Sequence, residues 1–331
     1  MQLGKAIETS TRRVVFGVLA VVAFCGGSTV MHGQERTYAE RMGWPAGTKA
    51  VIFHVDDAGM SHDSNMGARK AIESGVATSL SVMMPCPWVP QCAAWLKDHP
   101  QVDAGVHLTL TSEWKNYRWG PVAGRSAVPG LVDGHGYLWH EVADVVAHAS
   151  PEEFETEIRA QLDKAIAVGI RPTHLDSHMG TCFQPQFIQR YVELGLAKGI
   201  PVLMFGGHMQ HISAEAGQFK PLLRSLAEEL WRAGLPVIDD LVTQPTKGPE
   251  YDQRKSELIA LLREMKPGIT QIIVHCTDPT EVFSYISGSG AARQAELRLM
   301  TDPKVKAFIE SEGIVLTNWR ELKERRQRIE Q

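Results

Sequence analysis

The chain has only 5 cysteines in 331 residues, and none of them forms a C-x-x-C pair. That spacing excludes a cysteine-built metal motif. Basic charge is not in excess either: 34 Lys and Arg face 38 Asp and Glu, for a formal net charge of -4. Without a basic stripe, nucleic acid is excluded as the expected partner. The longest apolar stretch near the N-terminus, Val14 to Phe24, is short of the ~20 residues a membrane span needs. A Gly-rich phosphate fingerprint is missing after the first predicted strand, which argues against a dinucleotide fold. No shift of composition marks a second domain.

What is present begins with a targeting pattern. Lys5, Arg12 and Arg13 form a positive stretch ahead of the apolar Val14–Phe24, and Gly26, Gly27 and Ser28 follow. This reads as a signal segment over residues 1–35, cleaved near Ser28 or Gly33. The expectation is an exported protein, periplasmic or extracellular, with no stable membrane span after the segment is removed. Cys86, Cys92, Cys182 and Cys276 remain. An oxidising compartment permits disulfides, but Cys86 and Cys92 read as buried apolar thiols.

From Lys49 onward the pattern alternates strand and helix. Strands are predicted at Val51–Val55, Thr78–Met84, Val102–Leu110, Pro172–Asp176, Pro201–Phe205, Pro236–Ile238, Ile269–His275 and Ile314–Leu316. Helices lie between them. Ser150-Pro151-Glu152-Glu153 is a helix start, with Ser as N-cap and Pro at N1. A helix over Ala291–Glu310 is expected to break at Pro303. The stretch Thr111–Ser150 interrupts the rhythm with Trp114, Tyr117, Trp119, Tyr137 and Trp139. Those aromatics either stack on sugar rings or pin down their own loop. About eight β/α units give α/β as the fold class, a single irregular TIM-like (β/α) barrel over residues 36–331, with an open doubly wound sheet as the alternative.

The chemistry gathers at predicted strand ends. Val51 to Val55 climbs to Asp56-Asp57-Ala58-Gly59. Two adjacent carboxylates at the end of a buried strand require a cation, hydrogen bonds or a raised pKa. Other strands end in Gly105-Val106-His107-Leu108-Thr109, in Thr173-His174-Leu175-Asp176-Ser177-His178, and in Ile273-Val274-His275-Cys276. In a barrel these ends converge on one face. One carboxylate with two histidines makes a three-ligand site with positions open for water and substrate, as in hydrolytic metal centres. Alone, each histidine reads as a satisfied half-buried side chain. His54, inside the first strand, reads as structural.

These motifs resemble the YdjC-like carbohydrate deacetylases, which include chitooligosaccharide deacetylases. The resemblance runs through Asp56-Asp57-Ala58-Gly59 with Asn65, Gly105 to Thr111, Pro172 to His178, the strand ending in His275, then Arg293, Glu296, Thr301-Asp302-Pro303 and Trp319-Arg320-Glu321-Leu322. It implies hydrolysis of an N-acetyl group on a carbohydrate substrate. It further implies a divalent metal held by Asp57, His107 and His178, with Asp56 as the base for water and His275 as the acid for the departing amine. Zn suits such a ligand set, as does Mg with more waters. Two places depart from the family's pattern. Met179-Gly180-Thr181 stands where members often carry further histidines, and His275-Cys276-Thr277 replaces His-Pro-Gly. Both lie on the substrate side. The alternatives are another metal-dependent amide, ester or phosphoester hydrolase, or a carbohydrate-binding protein without catalysis on the same scaffold.

Overall fold

The run expected to form the first strand does so and extends further: β1 spans Lys49–Ala58 and is buried from Ala50 onward. A strand buried on both faces needs partners on both edges. One edge pairs with β6 (Gly268–Val274) from Lys49 to Val55. The other edge pairs with β2 (Ser79–Val82) from His54 to Ala58. Lower on that same edge, β7 (Val315–Leu316) takes Ala50 and Val51. Every pairing is parallel, and the sheet order is β4-β3-β2-β1-β6-β5, with β3 at Ala104–Leu108, β4 at Leu175–Ser177 and β5 at Asp240–Val242. The computed structural model describes residues 36–248 and 250–329, so the signal segment expected over 1–35 lies outside the described residues.

The helices follow from their caps. Short α1 (Tyr38–Arg41) precedes β1. Ser61 accepts from Ser64 N to open α2 (His62–Ser74), and Gly75, in left-handed backbone, closes it. Next come α3 (Val89–Asp98), α4 (Val142–His148) and α5 (Pro151–Ala167), which opens on the expected Ser150 N-cap, completed by Glu153 into a capping box. After β4 come α6 (Ile188–Lys198), α7 (Ser213–Ala216) and α8 (Lys220–Arg232), and between β5 and β6 lies α9 (Tyr251–Glu264). Beyond β6 are α10 (Phe283–Ile286), α11 (Gly290–Thr301), α12 (Pro303–Ser311) and, after β7, α13 (Trp319–Ile329). The break expected at Pro303 is where α11 gives way to α12, with Asp302 accepting from Lys304 N.

The expected α/β architecture is present, with fewer strands than the eight predicted. The parallel sheet forms a half-barrel, with seven strands among the described residues. Pro201–Phe205 is not a strand: it carries only the single bridges Leu175–Val202 and Phe205–Ile238. Pro201 opens the stretch without an N–H to donate, and the backbone bonds run to Leu175 on one side and to Ile238 on the other. The strand expected at Pro236–Ile238 forms four residues later, as β5. The chain passes through the buried Asp239 on the way, whose carboxylate accepts from Tyr38 N and Ile269 N. Those bonds offset the cost of burying it.

The long aromatic loop mostly pins itself. Trp119 donates to Thr111 O and Trp139 to Gly130 O, while Tyr117 reaches Met60 O. The four cysteines beyond the N-terminal segment are free and buried.

Candidate active site

Asp56 and Asp57 close β1, where the pairing with β2 shifts register between Val55 and Ala58. Asp57 has φ +65 there, a left-handed conformation rare for a residue other than glycine. Sequence alternation would send the two carboxylates to different sides. The bulge instead turns both toward one imidazole: His107 Nε2 lies 3.5 Å from Asp57 Oδ1 and 3.8 Å from Asp56 Oδ2. Behind them Gly59 has φ +83, and a Cβ there would stand 2.9 Å from Val82. Asn65 holds this turn by accepting from Gly59 N and donating to Trp88 O. It is a structural clamp.

His107 sits on β3 and His178 directly after β4. His107 Nδ1 lies 2.8 Å from Asp176 Oδ1, and His178 Nε2 lies 3.1 Å from Glu113 Oε2. An ionised carboxylate only accepts, so each ring nitrogen facing one must carry the proton. In the neutral rings the lone pairs are then on His107 Nε2 and His178 Nδ1. Those two atoms are 3.2 Å apart, and His178 Nδ1 is 3.4 Å from Asp57 Oδ1. Carboxylate support behind a histidine is the usual outer shell of a metal ligand.

The donor set fits a cation. Asp57, His107 and His178 are buried, and one ligand atom from each lies within 4.8 Å of the others. Asp56 Oδ1 and both oxygens of Asp57 are buried without a hydrogen-bond partner. Arg293 Nη1 approaches Asp57 Oδ2 to 2.7 Å, an ion-pair contact without hydrogen-bond alignment. Burial alone would push Asp57 up, but Arg293 and His178 hold its carboxyl well below the usual range. Burial pushes Asp56 up, and His107 and His54 only partly offset it. Burial disfavours charge on His178, yet Glu113 and Asp57 push it up to about 10. A cation bound here would therefore displace the second ring proton of His178. Two other groupings, His54/His174/Asp176 and Asp56/His107/Asp176, have compatible spacing. Both depend on Asp176, already engaged by the His107 and His54 rings.

His275, at the end of β6, is half-buried and lines the same cleft as the two aspartates, His107 and His178. Its backbone N donates to Glu296, which also pulls the ring's pKa up against the effect of burial. The cleft measures about 690 Å³. A slightly larger cavity, about 760 Å³, opens at the opposite ends of β3 and β4 and includes none of these residues. His174, expected near the site, is instead buried against Trp319 at 5.5 Å between ring centroids. Burial lowers it to about 4.

Sequence reasoning missed Glu113, which lies in the long aromatic loop with nothing local to mark it. Arg293 and Asp176 were visible in the motifs but carried no role. Trp114 alone among the loop's expected aromatics lines the cleft.

The profile of the YdjC-like protein family matches residues 50–311. The chain belongs to the YdjC-like family. It is 26% identical over 277 residues to a carbohydrate deacetylase of Thermoanaerobacter pseudethanolicus, covering 83% of this chain and 100% of that one. A carbohydrate deacetylase of Thermus thermophilus is 30% identical, covering 86% of this chain and 97% of its own. A chitooligosaccharide deacetylase of Yersinia enterocolitica is 28% identical, covering 82% and 98%. In fold, this YdjC-like chain superposes with a TM-score of 0.70 on an Enterococcus faecalis protein whose structure is named for cellobiose-phosphate cleavage. That pair shares 24% identity, over 83% of this chain and 99% of the other.

Proposed function

We propose that this protein is a metal-dependent hydrolase that removes acetyl groups from N-acetylated sugars, built on an irregular TIM-like (β/α) barrel. The observation that carries the reading is the set of unpartnered buried carboxylate oxygens facing two imidazole lone pairs. The names of the relatives supply the acetylated carbohydrate. Asp57, His107 and His178 would hold the divalent ion, with Zn or Mg the best matches to one carboxylate and two imidazoles. When bound, that ion polarises the amide carbonyl and acidifies water.

The remaining steps belong to the chain. Asp56, beside the triad and not among its three donors, takes the proton of the attacking water. The water oxygen joins the acetyl carbon as the C–N bond breaks, and His275 delivers a proton to the departing amine. Arg293 keeps Asp57 ionised. Acetate and the free amino sugar leave. Export of the mature chain after removal of residues 1–35 completes the reading, and intact-mass measurement on protein from the native envelope tests that part. The activity is tested by acetate release from N-acetylated sugars with and without chelator. Turnover abolished by chelation and restored by metal supports it; a metal-loaded protein that releases no acetate from any of them refutes it.

A further inference from the structure

The cleft that holds the triad has two unlike banks. Near His275 it offers Thr243, Ser287, Ser289 and Arg293. The other bank comes from residues 203–223: Leu203, Phe205, Ile212, Phe219, Leu222 and Leu223 line it, with Glu215 as its sole polar side chain. Leu203 and Phe205 belong to the singly bridged stretch that runs between β4 and Ile238, so this wall stands on the β4–β5 side of the cleft. Phe219 and Leu222 remain 40% and 39% exposed on this wall.

An acetyl group contributes one methyl, far too little to fill such a wall. A second sugar would bring hydroxyls into a bank with one polar partner, and a buried hydroxyl without a partner is costly. We propose that the substrate is an N-acetylated amino sugar whose aglycone is apolar, with the sugar on the polar bank and the aglycone against Phe205, Phe219 and Leu222. This rests on the deacetylase reading and narrows it from oligosaccharides to amino-sugar glycosides of apolar alcohols. The wall and the metal triad share one continuous cleft, so the occupant is part of the substrate itself. Covering Phe219 and Leu222 supplies the driving force, each buried methylene being worth roughly fourfold in affinity.

The test compares kcat/KM for acetate release from three soluble substrates: the methyl and hexyl β-glycosides of N-acetylglucosamine and N,N′-diacetylchitobiose. The hexyl glycoside should exceed both others by at least ~10-fold. Leu222→Asp and Phe219→Ser alter partly exposed side chains that the fold tolerates, and each should lower the hexyl-to-methyl ratio severalfold. Hexyl β-glucoside, which has no acetamide, should inhibit competitively where methyl β-glucoside does not. Equal rates for the methyl and hexyl glycosides, or preference for diacetylchitobiose, overturn the proposal and leave the deacetylase reading standing. No acetate from any of the three overturns both.

Discussion

His54 Nε2 lies 3.3 Å from Asp56 Oδ1 and 2.8 Å from Asp176 Oδ2. One buried ring therefore stands within ion-pair distance of both the proposed base and the carboxylate that orients His107. From the sequence alone His54 read as structural, because it falls within a strand. Its other nitrogen meets Ser79 Oγ at 2.9 Å, and Ser79 donates onward to Asp103. His54→Phe should lower kcat at least ~10-fold with KM little changed, as expected when a catalytic group loses its orientation. His54→Gln keeps an N–H near the ε position and should recover part of the loss. Equal kcat for the Phe and Gln variants would show that His54 merely fills space.

The two adjacent aspartates should separate by their effects on metal. Asp56→Asn removes a proton acceptor from a near-isosteric side chain. It should keep the metal and lose ~10²–10⁴-fold in kcat. Asp57→Asn should lose metal and activity together, and excess metal should restore it in part. Paired kcat and metal-stoichiometry measurements decide this. Metal lost from the Asp56 variant and retained by the Asp57 variant would reverse the two roles.

Glu113 is predicted to set the tautomer of His178. Glu113→Gln keeps the shape but removes the charge, so metal affinity should fall ~10–100-fold. Chelator competition measures this without any substrate. An unchanged affinity would remove Glu113 from the support of the site.

A pH-dependent contribution to stability is predicted at Asp302, which does not line the cleft. Asp302 lies 2.6 Å from Lys255 Nζ and accepts from Tyr251. Burial pushes its carboxyl up slightly, but Lys255 and Tyr251 prevail and bring it down to about 2. The unfolded value is ~3.9, so the folded pKa is the lower one. Its stabilisation is present above ~4 and is lost as pH falls toward 2. Asp302→Asn retains the helix cap without the charge. The gap in Tm between wild type and variant should be widest near pH 6 and narrow steadily below pH 4. A gap that stays constant with pH would locate the effect in packing.

Local chemistry was legible in the sequence. The apolar run ending in Asp56-Asp57, the Ser150 N-cap and the break at Pro303 all depend on residues within a turn or two of each other. Strand-end motifs pointed to one shared face, because parallel strands of a β/α sheet bring those ends together; the family resemblance singled out Asp57, His107 and His178, and the structure brings these three side chains together. Tertiary structure alone decided the rest. Asp57's left-handed backbone exists because β2 pairs out of register with β1, and that bulge sets both carboxylates on His107. Glu113 and Arg293 reach the site from a loop and from α11, at distances set by chain closure and not by any local pattern. The single bridges that residues 201–205 make to Leu175 and Ile238, in place of ladders, likewise depend on backbone pairing across the sheet. Periodicity reports which side of an element is apolar; it carries no information on how elements far apart in sequence meet.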